Sequence, residues 1–146
     1  MENLVKDDKP AYIRLRRGAI EDVYAEDMSF VMDKAEILSE GRDVAIITCG
    51  DLVPNAVNAA NILRESGIEA TVVDMYCIKP LDENTVLEVA NKCRLIVTCE
   101  EHSVYGGLGS LIARVLSENT PVDMMCLALP DAHLVAGGRD DIYREY

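Results

Sequence analysis

The sequence predicts an α/β domain of three layers, in which a mainly parallel, five-stranded sheet lies between helices and one edge strand runs either parallel or antiparallel. From Asp43 onward, short apolar runs alternate with helical patterns. The runs are almost continuously apolar, which is typical of parallel strands that are covered on both faces. The chain has 146 residues, 49% of them hydrophobic, which is enough to fill the core of one such domain.

Four of the apolar runs are predicted to form the parallel strands. They read VAIITC, ATVVDMYCI, LIVTC and VDMMCLAL and begin at residues 44, 70, 95 and 122. A fifth run lies in the stretch KAEILSEG at residues 34–41 and predicts either an edge strand or a short helix, with a tight turn at Gly41. Successive parallel strands need right-handed crossovers, so helices are expected between them.

Three helices are indicated by their own start and stop signals. Pro54 suits a first helical turn and Gly67 suits a left-handed stop, so the two residues bracket the first helix. The carboxylate of Asp82 can cap the second helix. The third helix has an apolar stripe that predicts a face packed on the sheet, formed by Leu108, Leu111, Ile112, Val115 and Leu116.

The first 33 residues do not follow this alternation. Residues 10–18 read PAYIRLRRG and have a strand-like pattern, with Ile13 and Leu15 on one face, but no sheet for the strand to join. Residues 19–33 contain five acidic side chains and no basic one, which is typical of a solvated linker. We therefore expect an orphan strand within residues 1–18, an acidic linker over 19–33 and the α/β domain over 34–146.

The charge balance excludes several classes of function. The chain has 26 acidic and 14 basic side chains, a formal charge of -12, so it lacks the cationic surface that nucleic acids and anionic membranes attract. No apolar run approaches the roughly 20 residues of a spanning helix, and the first residues have no signal-peptide character. We therefore expect no nucleic-acid partner, no membrane partner and a cytoplasmic location.

The five cysteines raise the question of a metal or redox site. None of Cys49, Cys77, Cys93, Cys99 and Cys126 forms a C-x-x-C pair, and the chain has only two histidines to complete a metal site. Free cysteine behaves as a small hydrophobic residue. We therefore predict buried, reduced thiols and no metal ligands.

The segment VTCEEHSVYGGLGSLIARVL at residues 97–116 is the strongest candidate for a functional site. Its GLGSLI stretch begins like a dinucleotide fingerprint, but Ile112 stands where the third glycine or alanine belongs. Glu100 and Glu101 would also repel a diphosphate. No G-K-[ST] follows the glycines, so a phosphate-binding P-loop is excluded as well.

An acid/base site is the second interpretation of this segment. Glu100, Glu101 and His102 follow a predicted parallel strand, at the edge where α/β sheets usually bind ligands. Adjacent residues of a strand point to opposite faces, so the two glutamates cannot act as a pair on one substrate. There is no recognisable nucleophile, and we assign no catalytic residue. The remaining interpretation is that one glutamate or His102 bonds loop backbone or crosses a subunit interface.

Three stretches together resemble the carboxy-terminal domain of transketolase-type thiamine diphosphate enzymes. They read IKPLDENTV, IVTCEEHSVYGGLGSLIARVLSE and LPDAHLVAGGRDDIYREY, and the resemblance runs from about Phe30 to Tyr146. The earlier segment KPAYIRLRRG resembles the last strand of the pyrimidine-binding domain that precedes this domain in the family. The resemblance thus implies that residues 1–18 are a trailing strand of that preceding domain.

The resemblance implies a role in assembly. In this family, thiamine diphosphate and Mg²⁺ lie between the pyrophosphate-binding and pyrimidine-binding domains, so this chain is expected to bind no cofactor and to be inactive alone. The parent enzyme would transfer a two-carbon ketol unit between ketose and aldose phosphates, pentose phosphates among them. The third domain would support a homodimer, and it would join those two domains or an amino-terminal transketolase subunit. The candidate interface or anion-binding residues are Glu101, His102, Tyr105, Gly106, Gly107 and Gly109.

Other parents and one other class of function stay open. The family often has a D-R-F-x-E-S-G stretch near its end, whereas this chain reads DAHLVAGG at residues 131–138. Deoxyxylulose-phosphate synthases and the beta subunits of 2-oxo-acid dehydrogenase complexes carry similar segments. A free-standing dimerising or ligand-sensing module is the alternative without an enzymatic parent, but such a module would have no use for the strand-like segment at residues 10–18.

Overall fold

The computed structural model describes residues 2–16, 18–19, 21–25 and 28–146, except for the side chain of Glu2. It contains five strands: β1 (Glu36–Ser39), β2 (Val44–Thr48), β3 (Ala70–Asp74), β4 (Leu95–Ser103) and β5 (Asp123–Leu129). The helices are α1 (Glu2–Val5), α2 (Val53–Glu65), α3 (Glu83–Lys92), α4 (Leu108–Asn119) and α5 (Arg139–Glu145), and a short 3-10 turn (Gly50–Leu52) precedes α2. No helix among these residues is long and apolar enough to cross a membrane.

The five strands form one sheet in the order β1-β3-β2-β4-β5. Strands β2, β3, β4 and β5 run parallel to one another, and β1 pairs antiparallel with β3. The predicted fold class is therefore confirmed, and the open question about KAEILSEG is settled in favour of an antiparallel edge strand. The sheet places the carboxyl ends of β2, β3 and β4 at one edge, which positions the candidate site.

The two faces of the sheet are covered unequally. Helices α3 and α4 pack on one face, where Ile47, Val73, Ile96 and Ile112 are fully buried in the larger core cluster. Helix α2 packs alone on the other face, over the smaller cluster that β2 and β3 form. On this second face, Leu95 and Val97 of β4 are only partly buried.

The helix boundaries follow the predicted signals. Pro54 lies in the first turn of α2, and Gly67 follows that helix with φ +78°. The Asp82 carboxylate accepts a hydrogen bond from the Thr85 amide at 3.3 Å and caps α3. The strands differ more from prediction: β3 ends at Asp74, whereas β4 continues to Ser103.

The first 33 residues differ from expectation in two ways. Residues 10–16 form no strand, and Tyr12 is 90% exposed and Leu15 73% exposed. The linker is tied to the sheet edge, because the Tyr24 hydroxyl donates to the Asp74 carboxylate and the Tyr76 hydroxyl donates to the Val31 carbonyl at 2.8 Å. Glu26 and Asp27, part of the predicted acidic run, lie outside the described residues. That residues 1–18 end a preceding domain stays a prediction.

Aromatic packing holds this part of the linker in place. The Phe30 ring meets Tyr24 and Tyr76 edge to face, with ring centroids 4.8 Å and 5.1 Å apart. The Asp74 side chain beneath Tyr24 is buried, and one of its oxygens has no hydrogen-bond partner among the described residues. An ionised carboxylate is costly in such a position. Burial accordingly raises the pKa of Asp74 from 3.8 to about 6, with a smaller upward effect of Glu36 and an opposing effect of the Tyr24 hydrogen bond.

Replacing Asp74 with Asn should remove a pH-dependent destabilisation. The folded chain binds the Asp74 proton more tightly than the unfolded chain does. The free energy of unfolding therefore falls as the pH rises from about 4 to about 6, and the full loss is present above pH 6. Asp74→Asn should therefore raise the free energy of unfolding by up to about 3 kcal/mol at pH 8 and much less at pH 4. Urea denaturation at both pH values measures the difference.

The exposed Asp123 offers a matched control. Asp123→Asn should change the free energy of unfolding by less than about 0.5 kcal/mol at either pH. A gain for Asp74→Asn that is equal at pH 8 and pH 4 would show that ionisation of Asp74 does not cause it.

Candidate functional site

The candidate site lies where β4 ends and α4 begins. Because β4 continues to Ser103, Glu100, Glu101 and His102 are strand residues with alternating side-chain directions. Glu100 is buried on the α4 face, Glu101 is half-buried on the opposite face, and His102 is exposed. The prediction that the two glutamates point to opposite faces of the strand is confirmed.

The Glu100 carboxylate binds the start of α4. One of its oxygens accepts a hydrogen bond from the Leu108 amide at 2.7 Å, and the other accepts one from the Gly109 amide at 2.9 Å. The first amides of a helix have no partner within the helix, and a negative charge there also interacts favourably with the helix dipole. Glu100 thus replaces a capping side chain, which Gly107 at the N-cap position cannot supply.

Two glycines leave room for close contacts at this joint. A Cβ atom at Gly107 would lie 1.8 Å from a Glu100 oxygen. At Gly109 it would lie 2.9 Å from the Thr98 hydroxyl and 3.0 Å from the Cys126 sulfur. Gly106 has φ +74°, a conformation that favours glycine. The glycines therefore allow a sharp turn and a close approach between strand and helix.

This geometry bears on the anion and cofactor predictions. An external anion at α4 would have to displace Glu100 from the Leu108 and Gly109 amides, so these residues do not fit a diphosphate. In the described part of the chain, no group of three or more histidine, cysteine or carboxylate side chains could hold a metal ion. The anion-binding role of Gly106, Gly107 and Gly109 stays a prediction, and the contacts at α4 do not favour it.

Three other predicted residues lie at and just beyond the end of β4, two of them exposed and one half-buried. His102 Nδ1 lies 2.9 Å from the Ser103 carbonyl oxygen, which can only accept, so Nδ1 carries the proton in this bond. The Tyr105 side chain is 70% exposed, and its neighbour Val104 is also exposed. On the opposite side of the strand, Glu101 accepts a hydrogen bond from the Tyr143 hydroxyl of α5. We call Glu101, His102 and Tyr105 the β4 rim.

Sequence reasoning did not find the contacts that hold the carboxy-terminal helix near this rim. Asp51 lies between two arginines, 3.3 Å from Arg16 and 3.4 Å from Arg139. Burial and the bond to Glu101 raise the pKa of Tyr143 above its ordinary value, so its hydroxyl remains the donor. These partners are far apart in the chain, and no local pattern could pair them. They place α5 against the carboxyl edge of the sheet.

The five thiols are free among the described residues, as predicted, but not all are buried. Cys93 is buried. The pKa of Cys49 is raised to about 11 by the burial of its own thiol and by the nearby Asp74 and Glu100 carboxylates. Burial also raises the pKa of Cys99. Cys126, however, is exposed, because β5 is an edge strand. The prediction of a buried thiol is therefore wrong for Cys126.

Comparison with known proteins gives the family. Residues 33–146 match the family described as "Transketolase, C-terminal domain". The chain belongs to this family. The predicted resemblance is thus confirmed, and the β4 rim and the glycines lie within the matched region of the transketolase C-terminal domain.

The relatives of this transketolase C-terminal domain are longer than the chain itself. It is 42% identical over 144 residues to one subunit of the apulose-4-phosphate transketolase of Phocaeicola vulgatus, covering 98% of this chain and 46% of the relative. It is 39% identical over 137 residues to the 1-deoxy-D-xylulose-5-phosphate synthase of Halothermothrix orenii, covering 91% of this chain and 22% of the relative. The chain spans less than half the length of either relative.

A solved structure supports the fold directly. A split-gene transketolase, described as an inactive beta4 tetramer, is 39% identical and superposes with a TM-score of 0.86, covering 90% of this chain and 44% of that one. The fold described above is therefore shared with part of the chain of that split-gene transketolase.

Glu100 and Gly107 should be energetically coupled. Glu100→Ala leaves two helix amides without a partner and should lower the free energy of unfolding by about 2–4 kcal/mol. Gly107→Ala should cost about 1–3 kcal/mol through overpacking, since its φ of -90° is allowed to alanine and the nearest atoms all belong to Glu100. In the double variant the alanine at position 107 no longer meets a glutamate side chain. The double variant should therefore be less destabilised than the sum of the two single variants by at least about 1 kcal/mol.

Glu101 supplies the control for this cycle, because its carboxylate lies on the opposite face of β4. Glu101→Ala and Gly107→Ala should be additive within about 0.5 kcal/mol by urea denaturation. Additivity of Glu100→Ala with Gly107→Ala would contradict the proposed contact between the carboxylate and the glycine.

Proposed function

We propose that this chain is the assembly domain of the second subunit of a two-chain, thiamine diphosphate-dependent transketolase. The match to one subunit of a transketolase over 98% of the chain, at 42% identity, carries this proposal. The similarity to a split-gene transketolase structure supports the two-chain organisation. The parent transfers a two-carbon ketol unit between sugar phosphates in the cytoplasm.

The chain contributes no cofactor chemistry in this proposal. Thiamine diphosphate and Mg²⁺ supply the carbanion chemistry of the parent, and they bind the pyrimidine-binding domain and the pyrophosphate-binding subunit. The occupied amides of α4 support this division, because Glu100 already binds the helix start that follows the glycines, where a diphosphate would otherwise bind. The chain alone should therefore show no ketol transfer, even with thiamine diphosphate and Mg²⁺ added.

The role that remains is to join subunits. The β4 rim combines an exposed aromatic ring, an exposed imidazole and a carboxylate, next to the joint where Glu100 binds the start of α4. Exposed aromatic residues supported by rigid backbone are typical of interfaces. The related split-gene transketolase was solved as a beta4 tetramer, which supports self-association of the second subunit. We propose that this chain forms a homodimer through a surface that includes the rim.

A deoxyxylulose-phosphate synthase is the second candidate for the parent. The 39% identity to the Halothermothrix orenii synthase over 91% of the chain favours it, but the chain covers only 22% of that protein. The mass of the native protein, measured with an antibody against this chain, separates the candidates. A second subunit has about twice the 16.1 kDa of this chain, a synthase more than four times, and a free-standing module the same mass.

Replacing His102 should weaken self-association without changing the fold. His102 is exposed, so His102→Ala should leave the circular dichroism spectrum and the melting temperature unchanged. Loss of its contacts should weaken the dimer about tenfold or more, a value in the range of an interface hot spot. Sedimentation equilibrium of the chain measures the dissociation constant.

The second histidine provides the control. His133 is also exposed but lies outside the rim, so His133→Ala should leave the dissociation constant unchanged. A chain that stays monomeric at every concentration, or a His102→Ala variant that associates like the original, would contradict the assembly role.

A further inference from the structure

The two edges of the sheet differ in how they are protected. Strand β1 is four residues long, and its register to β3 shifts between Ile37 and Ser39. Short strands and bulges are the usual ways of blocking an edge. Strand β5 is seven residues long and its register to β4 is regular from Asp123 to Leu127. It contains no lysine and no proline, and its one charged residue is Asp123 at its first position, so its middle and its carboxyl end carry none of these protections.

The unprotected edge is also apolar. Met125 is 53% exposed and Leu127 is 50% exposed, both on the face that α2 leaves uncovered. From Met124 to Leu129 no residue carries a charge, although the whole chain has a formal charge of -12. Two copies of so acidic a chain approach each other most readily through a neutral surface. Within the described ranges, no other strand pairs with this edge of β5.

We propose that β5 pairs antiparallel with β5 of a second copy, about a twofold axis at Cys126. This inference rests on the self-association proposed above and names the surface that makes it. An antiparallel pair centred on Cys126 overlaps all seven residues of β5. It joins the two sheets into one continuous sheet, and each copy satisfies the free backbone groups of the other.

The side chains of β5 agree with this pairing. Met125 of one copy lies opposite Leu127 of the other, so the exposed halves of four apolar side chains cover one another on the same face. The Asp123 residues lie at opposite ends of the ladder, about 20 Å apart, whereas a parallel pairing would place like charges side by side. Within each copy, the Val104 amide donates to the Leu129 carbonyl at 3.0 Å, so the β4 rim lies beside the carboxyl end of β5.

Lysine substitutions on the uncovered face test the proposal by sedimentation equilibrium of the chain. Met125→Lys and Leu127→Lys each place a charge within the paired surface and should weaken self-association by at least about tenfold. Ile62→Lys is the matched control, because Ile62 is 64% exposed on α2 and the change adds the same charge. Since added lysines reduce the negative charge, general repulsion predicts tighter association for all three variants. Burial of Met125 and Leu127 in the proposed pairing predicts weaker association for the two β5 variants and not for Ile62→Lys.

Cross-linking provides a measurement that does not depend on substitutions in the apolar surface. The proposed axis brings the two exposed Cys126 thiols opposite each other, with Cβ atoms about 5 Å apart. A short bismaleimide should therefore yield a covalent dimer of the original chain, and Cys126→Ser should abolish it. Equal cross-linking with and without Cys126 would overturn the pairing.

The outcomes separate this inference from the proposed function. If the chain associates and Met125→Lys and Leu127→Lys associate as tightly as the original, the β5 pairing is wrong while the assembly role stands. If the original chain is monomeric, both are wrong. Unchanged circular dichroism of the lysine variants confirms that loss of association is not loss of fold.

Discussion

The Glu100 carboxylate binds the first amides of α4, and the arrangement of the candidate site depends on this one interaction. It holds the end of β4 to the start of α4 at hydrogen-bond distance, in a buried position that a Cβ atom at residue 107 would overlap. The neighbours of Glu100 on β4 are oriented as a consequence. Glu101 turns to the opposite face toward α5, and His102 and Tyr105 remain exposed beyond it. The Glu100 carboxylate lies where a catalytic group could lie, but its contacts are structural, because it binds the start of α4. The exposed His102 and Tyr105 beyond it are available for contact with another protein.

The unequal covering of the sheet has a related consequence. Two helices bury one face, whereas α2 buries only the β2 and β3 half of the other. This leaves an apolar strip on β4 and β5 next to an unprotected edge and next to the β4 rim. In a chain with a charge of -12, these neutral and adjacent surfaces are the natural place for another protein surface to bind. The proposed assembly role therefore depends on features of the fold itself and not on a catalytic constellation.

Much of this structure could be predicted from local patterns, and the parts that could not have a common cause. The strands at residues 44 and 70, the stop at Gly67 and the Asp82 cap all depend on neighbouring residues. The order of the strands does not, so the sequence could not show that β5 lies at an edge and that Cys126 is exposed. The contact of Tyr24 with Asp74 joins residues 50 positions apart. Because no local pattern shows this contact, the acidic composition of residues 19–33 predicts only a solvated linker. The sequence could not show which glutamate caps the helix, because this depends on which face of β4 each side chain takes.

Hydrogen exchange of the Leu108 and Gly109 amides, measured residue by residue by NMR, tests most directly whether Glu100 fixes the joint. Both amides belong to the first turn of α4 and have no partner within the helix. If the carboxylate binds them as described, they should exchange only through global unfolding, at the rate of the β2 core amides. If they exchange as fast as unbonded amides of surface loops, the carboxylate does not hold the helix, and the rim is not rigidly presented.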